Sequence, residues 1–262
     1  MPAGTIENYF AWVIQLLLIL VRVSTLFLVT PFLSRVNIPN LAKIGLALLT
    51  AFVLINIHRP PAEYPYTELW PLLAAIIREA GAGLVMGFVT ALYFNIVYTA
   101  GHIIDMQIGF SMAQTFDVTV GGQVAVTAGL LNIVMTVSFI FADGISKTIY
   151  MLGAAFEQIP AGSALLRPEL VPMMTGLFAK CFVLSIQVAM PVLASALLTE
   201  VALGVVVRTA PQMNVFVVGI PIKVLVGLII FAVTIPAFVG LTGNLFTEMF
   251  ASIDELLGGM IP

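Results

Sequence analysis

Four long stretches of this sequence contain no Asp, Glu, Lys or Arg. They cover residues 80–104, 118–142, 181–199 and 224–247. A helix that spans a membrane needs about 20 mostly apolar residues. Each stretch reaches or approaches that length, so the sequence predicts several helices that lie in an apolar environment.

The composition supports the same interpretation. Charged residues make up 9% of the 262 residues, and the hydrophobic types make up 61%. Soluble domains carry roughly 25% charged residues, so this chain could not cover the surface of a soluble fold. A soluble enzyme, a disordered regulator and a nucleic-acid binder, which would need clustered Lys and Arg, are therefore excluded. A single cysteine and two histidines also exclude an intrachain disulfide and a cysteine- or histidine-rich metal site.

The chain is predicted to be an all-α, polytopic hydrophobic protein with about six long helices. Proline- and glycine-rich breaks between the apolar runs predict broken helices and helical hairpins. The basic residues are almost evenly divided between the two sides of such a topology, which predicts that some helices face protein instead of lipid. The predicted helical segments are residues 9–33, 41–57, 71–100, 124–150, 175–206 and 215–246.

The third segment begins with a charged pair, Arg78 and Glu79, followed by small residues. Gly83 and Gly87 are four residues apart, so they share one helix face and permit close approach of another backbone. One interpretation is tight helix packing. The other is that Glu79 neutralises a basic group in a neighbouring chain, since a charge in an apolar environment needs a partner.

The region between Arg208 and Lys223 contains the densest set of helix-breaking and polar residues. Pro211 and Pro221 are predicted to delimit a turn between the last two helices, because proline removes a helix hydrogen bond. The simplest interpretation is the turn of a helical hairpin. A more specific one is that the turn contacts partner subunits through Arg208, Gln212, Asn214 and Lys223.

The spacing of the residues in this region resembles that of a known family. The pattern comprises Glu200, Gly204, Arg208, Pro211, Gln212, Asn214, Val215, Phe216, Gly219, Pro221 and Lys223. Glu79-x-Gly81-x-Gly83 and Gly101-x3-Asp105-x-Gln107-x-Gly109 agree with it. The chain resembles, over essentially its whole length, the FliR family, the flagellar biosynthesis member of the type III secretion export-gate proteins. The stretch Gly109–Ala113 favours the flagellar over the virulence branch.

This resemblance implies a non-enzymatic subunit of the export gate in the bacterial inner membrane, at the flagellar basal body. It implies assembly with FliP-like, FliQ-like and FlhB-like subunits and contact with exported unfolded proteins, without any cofactor. Residues 1–175 would be similar to the FliP-like partner, and residues 176–262 would form a FliQ-like hairpin. The resemblance also implies an assembly largely raised out of the plane of the bilayer.

Charged and polar residues in the apolar segments are the predicted subunit contacts, because an unpaired charge in an apolar environment is costly. These are Arg22, Arg78, Glu79, Lys180, Glu200, Arg208, Gln212, Asn214 and Lys223.

The interrupted stretch Met106–Val120 is the predicted channel plug. It is too apolar for an aqueous loop and too broken for a spanning helix. Flexible Met and aromatic side chains can form a deformable constriction that excludes water, and the resemblance also implies a plugging loop. The alternative is a loop packed against neighbouring helices. The predicted plug residues are Ile108, Phe110, Met112 and Phe116.

A secondary transporter and an intramembrane enzyme are the two alternative functional classes. A secondary transporter for a small solute could use Arg22, Lys180 and Glu200 as charges within the membrane, and a lone or homodimeric particle would favour it. An intramembrane enzyme is disfavoured because the sequence contains neither H-E-x-x-H nor G-x-S-x-G.

Overall fold

The computed structural model describes residues 3–33, 39–57, 69–110, 125–210 and 215–261. The regular secondary structure of these residues is entirely helical, with no strand among them, which confirms the predicted all-α class. In the part of the chain that the structure describes, five helices are long and apolar enough to cross a membrane, and the fourth and fifth helices meet that criterion together. The helices are α1 Ala3–Val29, α2 Asn40–Ile57, α3 Leu69–Ile108, α4 Val126–Phe141, α5 Gly144–Gln158, α6 Leu170–Thr209 and α7 Val215–Gly258.

The prediction of one helix over residues 124–150 is wrong. That region contains α4, a break, and α5, which continues to Gln158. At the break Asp143 adopts the left-handed conformation, with φ 56° and ψ 30°. Asp is among the few residues whose short polar side chain tolerates that conformation. The backbone can therefore turn here without proline.

The interruption predicted between the last two helices is confirmed in part. α6 ends at Thr209 and α7 begins at Val215, and Pro211 lies outside the described residues. The prediction that Pro221 delimits the turn is wrong, because Pro221 and Pro236 both lie inside α7. A proline removes one hydrogen bond from a helix, and neighbouring helices in an apolar protein can compensate for that loss.

Three helices are much longer than a bilayer requires. α3 and α6 contain 40 residues each and α7 contains 44. At 1.5 Å per residue these helices measure about 60–66 Å, roughly twice the ~30 Å hydrocarbon core. The 18 residues of α2 measure only about 27 Å by the same rise.

The chain divides into two compact units that are interleaved in sequence. Unit 1 contains Met1–Leu92, Asp143–Leu177 and Thr247–Pro262, and unit 2 contains Tyr93–Ala142 and Phe178–Phe246. Their boundaries fall inside α3, α6 and α7 and after α4. The expected division into residues 1–175 and 176–262 follows a different boundary and stays a prediction.

Each unit has an apolar core. In unit 1, α1 packs against α2, and the last part of α7 contributes buried Met249, Ile253 and Leu257. In unit 2, the Phe139 ring meets Phe94 and Phe246 edge-on, with centroids 5.4 and 5.1 Å away. Such edge-to-face geometry is preferred by aromatic pairs.

Candidate functional site

Arg22 of α1 and Glu79 of α3 form a fully buried ion pair in unit 1. Arg22 Nε donates to Glu79 Oε2 at 2.6 Å, and Arg22 Nη2 donates to Glu79 Oε1 at 2.9 Å. Both side chains are 0% exposed. This two-pronged arrangement matches the planar fork of the guanidinium group to the carboxylate, which is the strongest common geometry for such a pair.

The end of α5 and the turn that follows it provide further partners for the pair. Arg22 Nη1 donates to the carbonyl oxygens of Ile159 at 3.1 Å and Ala155 at 3.4 Å. The Gly162 N–H donates to Glu79 Oε1 at 2.8 Å. The guanidinium carbon also lies 4.1 Å from the centroid of the Phe156 ring, within the range of a cation–π interaction.

These contacts place a cation at the end of α5. The last carbonyls of a helix lack partners within the helix and carry partial negative charge. Arg22 supplies both donors and positive charge there, while Gly162 reaches Glu79 with a φ of 88°, which glycine adopts without steric cost. The buried cluster therefore joins α1, α3 and the turn after α5.

Two glycines of α3 allow α1 to approach closely enough for this pairing. A Cβ at Gly83 would lie 2.0 Å from Thr25 Oγ1 and 2.4 Å from the carbonyl oxygen of Arg22. A Cβ at Gly87 would lie 2.8 Å from the Cβ of Val29. The prediction that this Gly-xxx-Gly face packs tightly is confirmed.

The other end of the turn after α5 is held by residues that follow α7. Leu165 N donates to the carbonyl oxygen of Met260 at 3.0 Å, and Arg167 Nη2 donates to that of Ile261 at 2.9 Å. Met260 is fully buried. Segments from the middle of the chain and from residues 247–261 are thus required together to complete unit 1.

A second buried carboxylate lies in unit 2. Asp105 of α3 is 3% exposed, and its Oδ1 accepts from the backbone N–H of Thr127 at 3.2 Å. The Thr127 hydroxyl lies within hydrogen-bonding distance of both Asp105 Oδ1 and the Gly101 carbonyl oxygen. Asp105 Oδ2 is buried and has no hydrogen-bond partner among the residues that the structure describes.

Asp105 of α3 caps the start of α4. This role usually belongs to the residue that directly precedes the capped helix. Ala125, which precedes α4, has no side chain that can accept a hydrogen bond. The first N–H groups of a helix need such an acceptor, and they favour a negative charge. Gly101 makes the approach possible, because a Cβ there would lie 2.2 Å from the Cα of Ala128.

Ile108, at the end of α3, is buried within unit 2. It fills the space left by Gly227 of α7, where a Cβ would lie 2.5 Å from Ile108 Cγ1, and it is 0% exposed. Gly109 follows with a φ of 98°, and Phe110 is half-buried. Met112 and Phe116, the other predicted plug residues, lie outside the described residues.

The predicted subunit contacts separate into three groups. Arg22 and Glu79 find their partners within the chain, whereas the prediction placed those partners in other subunits. Glu200 and Lys223 form an ion pair with each other, with side chains 48% and 18% exposed. The remaining described members, Arg78, Lys180 and Arg208, are exposed on the chain surface, and Gln212 and Asn214 lie outside the described residues.

Sequence reasoning did not identify Asp105 as a site residue, although it lies in the family pattern, and it missed three residues that contact the buried charges. Phe156, Gly162 and Thr127 each contact a charged residue that lies far from them in sequence. Gly162 had a local signal, since Pro160-Ala161-Gly162 is typical of a turn. Thr127 and Phe156 had none, because a threonine or phenylalanine in an apolar helix is ordinary.

The chain was compared with known proteins. The family model described as bacterial export proteins, family 1, matches residues 13–249. The flagellar biosynthetic protein FliR of Bacillus subtilis is 29% identical, with 92% of this chain and 93% of the relative covered. FliR of Escherichia coli is 27% identical, with 97% and 96% covered. The secretion system apparatus protein SsaT of Salmonella typhimurium is 24% identical, with 86% and 88% covered.

These similarities extend through both units and include the residues of both buried sites. Arg22, Glu79, Asp105 and Thr127 all fall within the matched region. Because the match covers far more than half of the sequence, this chain belongs to family 1 of the bacterial export proteins.

Proposed function

We propose that this chain is a non-enzymatic, structural subunit of the flagellar type III protein export gate, in the bacterial inner membrane at the flagellar basal body. The observation that carries the proposal is the alignment with proteins named FliR over more than nine-tenths of both chains. The similarity to SsaT, named as a secretion system apparatus protein, supports the wider class of protein-export machinery.

The geometry of the helices supports a subunit of a larger assembly. Only 17% of the most apolar window of α7 and 28% of that of α6 are buried within the chain. Both helices are also about twice as long as a ~30 Å hydrocarbon core. Their apolar surfaces therefore extend beyond what lipid alone could cover and need protein partners.

The proposed partners are FliP-like, FliQ-like and FlhB-like gate subunits, together with the unfolded proteins that pass through the channel. Residues 1–175 would correspond to the FliP-like part and residues 176–262 to the FliQ-like hairpin. Charged side chains on the surface suit contacts with such partners. When an interface buries these side chains, each needs a complementary group on the partner subunit. The proposed contact residues on the described surface are Arg78, Lys180, Glu200, Arg208 and Lys223, and Gln212 and Asn214 complete the set.

The plug proposal concerns the stretch Met106–Val120. Phe110, Met112 and Phe116 are the proposed plug side chains, because Met and aromatic groups form deformable, water-excluding constrictions. Ile108 is better placed to anchor this stretch, since it is buried against Gly227. Deleting 110–116 in an assembled complex should raise ion leakage, and unchanged conductance in a normally assembled complex would contradict the plug.

The proposal as a whole is tested by deleting the gene in its own organism. The expected result is loss of motility and of flagellin secretion, both restored by the intact chain. A tagged chain should be purified together with the products of the neighbouring export genes. A monomeric or homodimeric particle, or normal flagellin secretion in the deletion strain, would overturn the proposal.

A further inference from the structure

The two ends of the stretch between α3 and α4 contact each other within unit 2. Asp105, near the end of α3, and Thr127, at the start of α4, lie 22 positions apart in the sequence. Asp105 Oδ1 accepts from the Thr127 N–H, and the Thr127 hydroxyl is within hydrogen-bonding distance of both Asp105 Oδ1 and the Gly101 carbonyl oxygen. All three residues are buried. These contacts therefore fasten together the two ends of residues 106–126.

Close packing supports both ends of this stretch. On the α4 side, a Cβ at Gly101 would lie 2.2 Å from the Cα of Ala128, so the backbones of α3 and α4 are in contact. On the α3 side, Ile108 is buried against Gly227 of α7. The α3 end is thus anchored on α7 by an apolar contact, whereas the hydrogen bonds of Asp105 anchor the α4 end on α3.

A cap supplied by α3 does more than satisfy the start of α4. An N-cap side chain usually accepts from the N–H of the second or third residue of its own helix, and Thr127 is the second residue of α4. Ala125 has the extended backbone of an N-cap position, with φ −64° and ψ 104°, so an Asp there could accept the same hydrogen bond. Because the acceptor comes from Asp105 instead, the bond also closes a loop, which a local cap would not do.

The link between the two helices is the effect that only Asp105 provides. Burial of a carboxylate is unfavourable, and Asp105 is 3% exposed, whereas Ala125 is half-buried. An acceptor at position 125 would therefore cap α4 with less desolvation. Holding the ends of a chain segment together restricts the arrangements that the segment can adopt. The position of Asp105 thus favours restriction of residues 106–126 over the least costly cap.

We propose that Asp105 is a positioning residue for the plug: its contact with Thr127 holds the two ends of residues 106–126 together and thereby lowers the resting ion leak of the assembled channel. The inference rests on the proposed function, which assigns the plug to the stretch Met106–Val120. Asp105 acts through Thr127, and its own contact with ions or with the exported chain is not part of this role.

Moving the cap to its own helix separates the link from the capping. Asp105→Ala removes both, whereas Asp105→Ala/Ala125→Asp returns an acceptor to the start of α4 without joining it to α3. Asp105→Asn keeps both, because Asn and Asp are equally good caps. Each variant is co-purified with its partners and reconstituted into phosphatidylcholine vesicles. Conductance per assembled complex measures the leak, and hydrogen exchange of the α4 amides measures the capping.

The double variant should protect the α4 amides as the wild-type chain does and still leak. Its conductance and that of Asp105→Ala should rise about 2- to 30-fold, which is the range by which loss of a cap shifts an equilibrium. Asp105→Asn should conduct like the wild type. Wild-type conductance in the double variant would show that capping alone matters and would overturn the proposal, as would equal leakage from Asp105→Asn and Asp105→Ala.

Thr127→Val provides a second test if the Asp105→Ala variants do not assemble. It removes the hydroxyl that contacts Asp105 and leaves the backbone N–H in place. Its conductance should exceed that of the wild-type complex by less than the loss of Asp105 would cause. Wild-type conductance of an assembled Thr127→Val complex would likewise overturn the proposal.

Failure of the proposed function would appear differently. If the complex with residues 110–116 deleted assembles and conducts like the wild type, the plug assignment is wrong and the inference falls with it. If that deletion leaks but Asp105→Ala/Ala125→Asp does not, the plug stands and only the role of Asp105 is overturned. A chain that co-purifies with no export-gate partners would overturn the proposed function and the inference together.

Discussion

Gly83 and Arg22 are in contact through their backbones, with no room for a side chain between them. A Cβ at Gly83 would lie 2.4 Å from the Arg22 carbonyl oxygen, whereas the Arg22 guanidinium group points to Glu79 on the same helix as Gly83. The closeness of the two helices and the buried ion pair therefore depend on each other. Any atom added at Gly83 separates the backbones that hold the two charges together.

Gly83→Ala is accordingly expected to destabilise unit 1. Overpacking of this kind costs about 1–3 kcal/mol, and the obstructing atom here is backbone, which cannot move aside. The measurement is the midpoint of denaturant-induced unfolding of the purified chain in detergent. Gly176→Ala is the control, because nothing lies within 4 Å of a Cβ there. An equal midpoint for both variants would contradict the packing argument.

Glu79→Ala should be among the most destabilising single substitutions in unit 1. It leaves Arg22 buried without its carboxylate, and breaking a buried pair costs about 3–5 kcal/mol. The double variant Arg22→Met/Glu79→Leu should recover part of that loss, because it leaves no unpaired charge, although the Gly162 N–H and the Ile159 carbonyl lose their partners. Unfolding midpoints of the two variants check this, and a double variant no more stable than Glu79→Ala would show that the polar cluster itself is needed.

Asp105→Ala is expected to weaken the start of α4. Loss of a capping acceptor costs about 0.5–2 kcal/mol, and Thr127→Val should show coupling to it in a double-mutant cycle, since the two side chains are in contact. Hydrogen exchange of the α4 amides is the local measurement. Thr90→Val is the control, because the Thr90 hydroxyl donates to Met86 within the same helix. Additive effects of Asp105→Ala and Thr127→Val would contradict the proposed cap.

Arg208→Ala and Glu200→Ala should weaken the assembled complex while membrane insertion of the chain is unchanged. The Glu200 side chain is 48% exposed, so its pair with Lys223 should contribute no more than about 1 kcal/mol to the chain's own stability. The measurement is the amount of partner subunits retained on a tagged chain. Retention at the wild-type level in both variants would contradict a contact role.

The helical class could be predicted because it depends on properties that are local in the sequence. Charge-free runs of about 20 residues have few structural alternatives. The break at Asp143 was missed although Asp143-Gly144 is a dipeptide typical of turns, because the apolar residues on both sides of it favoured one continuous helix. The lengths of α3 and α7 were underestimated for a related reason: charged residues such as Asp105 and Glu248 suggested helix ends, but their helices continue past them.

The residues of the Arg22–Glu79 site were predicted, but their pairing within one chain was not. Arg22 and Glu79 were both identified as charges that need partners, yet nothing in the sequence indicates that they meet across 57 positions. The Gly83 and Gly87 pattern showed that some helix would pack there without identifying α1. Asp105 belonged to the family pattern, but its capping role arises because the side chain of Ala125 has no hydrogen-bond acceptor.

The hydrogen bond between Leu165 and Met260 also has a consequence for biosynthesis. Unit 1 begins with helices that are made before unit 2, and it is completed by residues 247–261, which are made after unit 2. At about 5–20 residues per second, the ribosome needs roughly 10–30 s to proceed from Leu92 to Met260. During that interval Arg22 and Glu79 can already meet. Met260 and Ile261, which bind Leu165 and Arg167 after α5, have not yet been made. Newly made chains should therefore stay sensitive to proteases and dependent on the insertion machinery until residues 247–261 have been made.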